Sequence, residues 1–237
     1  MEVYYDASIE GLFTAFFYLY NYQGPISFTI NDMQNSFLRR KHFPTELDKF
    51  ERIKNYLKKI GGLGYFRMFL YVFTSQDEAK EMVMFSVLKA SERYQGQALS
   101  RQDEMSFKFK KLQKAVSSER HAYLGLLRFK ELENGILYAK MKPKNDVLPL
   151  LMPHFIKRFG QVHPFMIYDE GRGYGLLYLD GQVEEGRLLD QAYDNKVEYE
   201  ALWMTFYQAI SIEERKNLNL QRSNMPKRYW AYLTEKQ

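Results

Sequence analysis

The spacing of apolar residues changes partway along the chain, and this change constrains the fold more than any other feature. Through residues 46–114 apolar side chains recur at three- and four-residue intervals, the spacing of one buried helix face. From residue 127 onward they alternate with polar residues, as on half-buried strands. Short turns between these strands favour antiparallel pairing. We therefore predict an α+β fold, with an N-terminal helical block and a C-terminal antiparallel sheet with packed helices.

Four helices are predicted in the region of helical spacing. The first carries an apolar stripe from Leu47 to Ile60 and ends at Gly61-Gly62, because glycines terminate helices. The next two cover residues 65–73 and 78–94. The fourth, highly charged helix covers about residues 101–117.

The N-terminal region begins with a predicted strand over residues 3–5. Ser8 is placed to cap a helix that follows, since Leu12, Phe13 and Phe16 then recur on one face. Residues 21–45 are predicted to be a connector with little regular structure. The strand at residues 3–5 is expected to join the C-terminal sheet.

The C-terminal half is predicted to contain a hairpin, three further strands and two helices. The hairpin turns at residues 133–135, and the strands cover residues 165–168, 174–179 and 182–188. A stiff helix with two prolines is predicted over residues 148–159. A second helix follows a capping box at residues 195–198 and is expected to bury Tyr199, Leu202, Trp203 and Phe206. We predict one unit over residues 1–237, in which residues 46–117 form a helical subdomain and residues 118–237 a sheet-containing subdomain.

The absence of cysteine excludes several kinds of chemistry. It removes disulfides, thiol nucleophiles, Cys-ligated zinc and iron–sulfur clusters. The four histidines are scattered without the spacing of metal ligands, so we predict no metal and no cofactor. No signal peptide and no long apolar run is visible, so we expect a soluble, cytoplasmic protein without a membrane partner.

Positive charge is concentrated near the C-terminus. The net charge of +5 is modest, but residues 211–237 hold six basic and three acidic residues. Arginine, lysine and asparagine donate to phosphates and base edges, and aromatic rings stack on bases. The alternative is a tail that packs on the sheet through its aromatic rings, with its charges in water. The candidate nucleic-acid ligands are Arg215, Lys216, Asn217, Arg222, Lys227, Arg228, Tyr229 and Trp230.

Other basic residues form three smaller groups. They are residues 39–42, the row of lysines between Lys108 and Lys114, and the alternating Lys140, Lys142 and Lys144. A solvated surface explains each group taken alone. Their joint presence is compatible with a polyanionic partner.

Two pairs of residues are candidates for catalysis. His154 and Arg158 lie one turn apart on a predicted helix, and Asp169 and Arg172 follow a predicted strand. Such residues perform acid–base or phosphate chemistry, although a packed, hydrogen-bonded histidine is the alternative. The glycine-rich residues 61–64 and 171–175 lack the strand–loop–helix setting of a phosphate-binding loop and are predicted to be turns.

Four stretches of the chain together resemble a domain-of-unknown-function family associated with DNA metabolism. They are residues 5–12 (YDASIEGL), 127–132 (LRFKEL), 145–155 (NDVLPLLMPHF), and the tail containing ERKN at 214–217 and MPKRYW at 225–230. The resemblance implies a DNA-repair context, with a radical-SAM DNA-repair protein as partner or fusion to uracil-DNA-glycosylase-type domains. It implies no reaction. The chain differs from the family pattern at Arg120, which precedes His121 instead of following it.

Three functions follow from these observations. The first is a DNA-binding or adaptor component of a repair system, acting through the C-terminal region. The second is an enzyme that acts on a nucleotide or damaged base, which would require the four catalytic candidates to converge. The third is a protein-interaction subunit without nucleic-acid contact.

Overall fold

The chain folds into two compact units, Met1–Ser117 and Ser118–Gln237. The computed structural model describes residues 1–30, 40–132, 135–160, 162–186 and 225–233. In these ranges helices dominate the first unit and a largely antiparallel sheet the second, which confirms the predicted α+β class.

The first unit combines a small sheet with long helices. Its elements are β1 (Glu2–Tyr4), α1 (Ile9–Leu19), β2 (Ser27–Thr29), β3 (Arg40–His42), α2 (Leu47–Phe73), α3 (Lys80–Tyr94), a 3-10 helix (Gln95–Ser100) and α4 (Glu104–Leu126), which contains the unit boundary. The strand order is β2-β1-β3, and both pairs are parallel.

Two predictions about this region were wrong. The N-terminal strand is central in its own three-stranded sheet and is not part of the C-terminal sheet. The supposed connector over residues 21–45 contains β2 and β3. Each of these strands has three residues, which is too short to show the alternation that reveals a strand in sequence.

The helix break predicted at Gly61-Gly62 is confirmed. Gly62 interrupts α2 with φ 72° and ψ −177°, a conformation that side chains with a Cβ rarely adopt. Around this kink, aromatic rings fill the core of the first unit. The ring of Phe13 from α1 lies within 6.4 Å of the rings of Phe16, Phe50, Phe66 and Phe69.

The second unit is built on a five-stranded sheet. Its strands are β4 (Lys130–Glu131), β5 (Leu137–Met141), β6 (Phe165–Asp169), β7 (Tyr174–Leu179) and β8 (Gln182–Gly186), in that order across the sheet. The hairpin of β4 and β5 is confirmed, and β6, β7 and β8 pair antiparallel. The sheet is therefore mainly antiparallel, as predicted, although the pair of β5 and β6 is parallel. A helix, α5 (Leu148–Phe159), connects these two strands, which permits a parallel crossover.

The helix α5 forms despite two prolines. Pro149 lies in the first turn, where its missing N–H would have no helical partner, and only Pro153 removes an interior donor. The helix buries Leu148, Leu151, Met152 and Phe155. The ring of Phe155 contacts Phe129, Phe159 and Phe165, which fixes α5 against the sheet.

A short 3-10 helix (Lys227–Tyr232) ends the described part of the second unit. The helix predicted after residues 195–198, with Trp203 on its buried face, lies outside the described residues and stays a prediction. None of the helices in the described ranges combines the length and apolar character needed to cross a membrane.

Candidate nucleic-acid interface

The parallel strands β5 and β6 end side by side, at Met141 and Asp169. Two connections begin at this edge: residues 142–147, which lead into α5, and residues 170–173, which lead into β7. In sheets with parallel strands, ligands bind preferentially outside the carboxyl ends of the strands. The two connections therefore mark the edge at which a site is expected in the second unit.

A buried carboxylate on α4 fixes the first connection. Glu119 is only 4% exposed. Its oxygens accept hydrogen bonds from the backbone N–H groups of Lys144 (2.8 Å) and Asn145 (2.9 Å), and from Nδ2 of Asn145 (2.7 Å). Bonds from polar donors to an ionised acceptor are stronger than neutral ones, so Glu119 holds residues 144–145 firmly.

A second carboxylate fixes the other connection. Asp169 is fully buried and accepts hydrogen bonds from the backbone N–H groups of Gly171 (2.9 Å) and Arg172 (3.2 Å). Nη1 of Arg172 lies 2.7 Å from Oδ2 of Asp169, and the same guanidinium donates to the carbonyls of Pro143 (3.2 Å) and Lys144 (2.8 Å). Asp169 and Arg172 thus clamp the two connections together, which favours a structural role for both.

The C-terminal 3-10 helix packs against the same connections. Tyr229 is 2% exposed, and its ring meets that of Tyr123 on α4 edge-on at 5.0 Å. The hydroxyl of Tyr232 donates to Glu170 at 2.8 Å. Burial, and then the hydrogen bond to Glu170, raise the pKa of Tyr232, so this hydroxyl stays protonated at neutral pH. Nε1 of Trp230 donates to the carbonyl of Met225 at 2.9 Å, which closes the Met225-Pro226 turn.

Arg228 connects the C-terminal helix to the buried carboxylate. Its Nη2 lies 4.0 Å from Oε1 of Glu119, the oxygen that accepts the Lys144 N–H. The guanidinium also lies over the Tyr229 ring at 4.7 Å and donates to the Tyr229 hydroxyl at 2.6 Å. Its side chain is nonetheless 56% exposed, so part of the guanidinium faces solvent beside residue 144.

Four exposed cations consequently lie on this part of the second unit. We call them the edge cluster: Lys142, Lys144, Lys227 and Arg228. Within the described ranges, Lys142, Lys144 and Lys227 form no ion pair. Trp230, partly exposed, lies under the ammonium of Lys227 at 5.9 Å.

The predicted nucleic-acid ligands differ in exposure, and only some of them lie in the described ranges. Lys227, Arg228 and Trp230 contribute exposed or partly exposed surface, whereas the buried Tyr229 ring anchors the helix and offers no face to a base. Arg215, Lys216, Asn217 and Arg222 lie outside the described residues.

The four catalytic candidates form two separate pairs. His154 and Arg158 are exposed on α5, whereas Asp169 and Arg172 bind each other and the connections at the strand edge. No group of three or more histidine, aspartate or glutamate residues in the described ranges is arranged to hold a metal ion.

Sequence reasoning missed Glu119 and Tyr123, which anchor this surface. A signal was present: Val116, Glu119 and Tyr123 are all buried and recur at helical spacing. An acid on the inward face of a helix requires buried donors. Those donors come from residues 144–145, far along the chain, so the sequence alone does not identify them.

The fold and this surface define an α+β protein with a cationic edge supported by buried carboxylates. Residues 78–235 match a family described as a domain of unknown function (DUF4130), and the match covers about two thirds of the chain. The chain belongs to this family. The matched residues include the whole edge cluster and both of its buried carboxylates. No curated protein and no solved structure matches the chain.

Proposed function

We propose that this chain is an accessory protein of DNA metabolism that binds DNA through the edge cluster. The observation that carries the proposal is that two exposed basic segments, residues 142–144 and 227–228, lie against the same buried carboxylate although more than 80 residues separate them in sequence. The contact between Arg228 and Glu119 places the two segments side by side.

The acids near the edge cluster bind other groups and form no ion pair with its three lysines in the described ranges. Glu119 and Asp169 are buried and bind backbone donors. Asp146 accepts the hydroxyl of Tyr174. The exposed Glu170 accepts the hydroxyl of Tyr232 and lies 3.8 Å from Nζ of Lys140, which is not part of the edge cluster. The lysine ammonium groups therefore face water and suit contact with phosphates, whose counterions they displace.

The choice of DNA over other polyanions rests on the resemblance of the sequence to proteins of DNA metabolism. Cations that contact phosphates bind without regard to base sequence. A partly exposed Trp230 beside Lys227 adds a ring that favours unpaired bases. We therefore expect single-stranded DNA to bind at least as well as duplex.

A salt-titrated binding assay tests the proposal. The test variant is Lys227→Gln/Arg228→Gln, and the matched control is Lys59→Gln/Arg67→Gln, which removes the same two charge types from exposed positions of the first unit. Binding to labelled single-stranded and duplex oligonucleotides is measured by fluorescence anisotropy across salt concentrations. The slope of log K against log salt should fall by about 0.9 per lost contact on duplex and about 0.7 on a single strand. Circular dichroism checks that both double variants are folded. Equal salt slopes for the two folded variants would exclude the edge cluster as the DNA-binding surface.

A radical-SAM DNA-repair protein is proposed as the partner, on the resemblance alone. Co-purification of the tagged chain with the purified repair protein tests this contact separately from DNA. Binding to that protein without DNA binding at any salt concentration would indicate an interaction subunit instead.

A further inference from the structure

The outer side of α5 carries a second set of cations, separate from the edge cluster. Leu150, His154 and Arg158 follow one another at four-residue intervals and so lie along one side of the helix. Both His154 and Arg158 are exposed. Arg120, from α4, reaches the same side, because its Nε donates to the carbonyl of Leu150 at 2.8 Å.

This hydrogen bond places the Arg120 guanidinium close to His154. In an α-helix the carbonyl of Leu150 is also the acceptor for the backbone N–H of His154. Nε of Arg120 therefore lies beside the helical turn that precedes His154. With Nε engaged, the two terminal nitrogens of the half-buried Arg120 remain for a ligand, since the described residues bind neither of them.

Arg158 lies on the same side of α5 as His154, and its charge acts on the imidazole. It lies one turn beyond the histidine, and its guanidinium rests over the ring of Phe159 at 5.0 Å. The ring of His154 itself meets that of Phe155 edge-on at 5.0 Å. Contacts with buried or half-buried rings limit the positions that both side chains adopt.

All of the charged groups in the described ranges that act on His154 are cations. They are Arg158 and Lys157 on its own helix and Arg120 on α4. Burial, and then these three charges, lower the pKa of His154 below its ordinary value. Like charges held together without a carboxylate are unfavourable unless an anion joins them.

We propose that Arg120, His154 and Arg158 form a binding site for a phosphate group. A guanidinium presents two parallel N–H donors that match phosphate oxygens, and two guanidinium groups flank the histidine here. The imidazole adds a third donor on the same side of α5. The site does not depend on the edge cluster, and its ligand is either a free phosphate or a phosphate of a nucleic acid.

Proton linkage gives this site a distinctive behaviour. A bound phosphate brings negative charge beside His154 and therefore raises the pKa of the imidazole relative to the free protein. Binding takes up a proton. Affinity for a phosphodiester, which does not itself titrate near neutral pH, should increase as the pH falls and level off below the lowered pKa of the free histidine.

The test follows the side-chain signal of His154 by NMR during a pH titration of the full chain. The signal is assigned by its loss in His154→Gln, and the titration is run with and without inorganic phosphate. Phosphate should raise the pKa of His154, whereas the side-chain signal of His163 should not respond to phosphate. Arg120→Gln and Arg158→Gln should each weaken phosphate binding about tenfold or more, whereas Arg67→Gln should not change it.

Two further comparisons complete the experiment. Oligonucleotides with and without a 5′-phosphate distinguish the source: a shift of the His154 pKa with both indicates backbone phosphates, and a shift with the phosphorylated strand alone indicates a terminal phosphate. Arg120→Lys keeps the charge but loses the paired donors, so it should restore little affinity. If neither phosphate nor either oligonucleotide moves the His154 pKa, the site is refuted. This result would leave the proposed DNA binding by the edge cluster untouched, because the salt slope tests that proposal separately.

Discussion

Replacing Glu119 by Gln tests whether the buried carboxylate organises the interface. The carboxylate accepts three hydrogen bonds, two of them from backbone N–H groups. A glutamine amide keeps one acceptor oxygen and places an NH₂ group against a donor that formerly had a partner. Hydrogen bonds to a charged group contribute about 1.5–3 kcal/mol each, and an unsatisfied buried donor costs about 1–3 kcal/mol. We expect Glu119→Gln to lower the free energy of unfolding by about 2–4 kcal/mol.

Urea denaturation followed by circular dichroism measures this loss. Glu184→Gln on the exposed strand β8 is the matched control, because it makes the same change in the same unit without buried partners. Its effect should stay within about 0.5 kcal/mol. Equal midpoints for the two variants would refute the assignment of Glu119 as an anchor.

The same variant separates positioning from simple electrostatics. Glu119→Gln removes a negative charge close to Arg228, so charge alone predicts tighter DNA binding. If Glu119 positions residues 144–145 and Arg228, DNA binding should weaken instead and the salt slope should fall. Glu184→Gln should change neither the affinity nor the slope. Tighter binding by the folded Glu119→Gln variant would contradict the positioning role.

Three other predictions concern stability and docking. Gly62→Ala should lower the free energy of unfolding by about 1–3 kcal/mol, because alanine does not readily adopt φ 72° and ψ −177°. Gly64→Ala in the same helix should instead stabilise the protein by up to about 1 kcal/mol, and thermal unfolding distinguishes the two variants. Phe155→Ala should cost about 3–5 kcal/mol in urea unfolding, and Phe107→Ala, at a residue that is 67% exposed, should cost well under half as much. Tyr229→Ala should release the C-terminal 3-10 helix and lower the DNA salt slope, whereas Tyr229→Phe keeps the ring contact and should leave the slope close to that of the parent protein. An unchanged slope in both variants would show that docking of this helix does not affect DNA binding.

Local patterns predicted much of the fold. The helix break at Gly61-Gly62, the hairpin of β4 and β5, and the strand Tyr174–Leu179 were all visible in sequence, because glycine pairs and period-two alternation report backbone conformation within a few residues. The short strands β2 and β3 were not, since their pairing with β1 depends on residues far away in the chain.

The parallel pair of β5 and β6 shows a second limit. The helix α5 was predicted between these strands, and a connection of that length permits parallel pairing. The prediction of an antiparallel sheet extended the short-turn rule, which holds for β6, β7 and β8, to a connection where it does not apply. The candidate site followed the same pattern: exposed cations were visible in sequence, whereas Glu119 became recognisable as an anchor only once residues 144–145 were placed against it.

The two interpretations of the C-terminal segment, a packed tail and a nucleic-acid contact, concern different residues of the short 3-10 helix, and the second interpretation stays a prediction. Tyr229 and Tyr232 face inward and dock on Tyr123 and Glu170, as expected for a packed tail. Lys227 and part of the Arg228 side chain are exposed to solvent. Because a 3-10 helix has about three residues per turn, adjacent positions point in different directions, and one turn can hold an anchor and present a cation. Docking of this helix would therefore favour the proposed DNA binding, because a cation fixed to a rigid surface loses less conformational entropy on contact with a phosphate than a cation on a free tail.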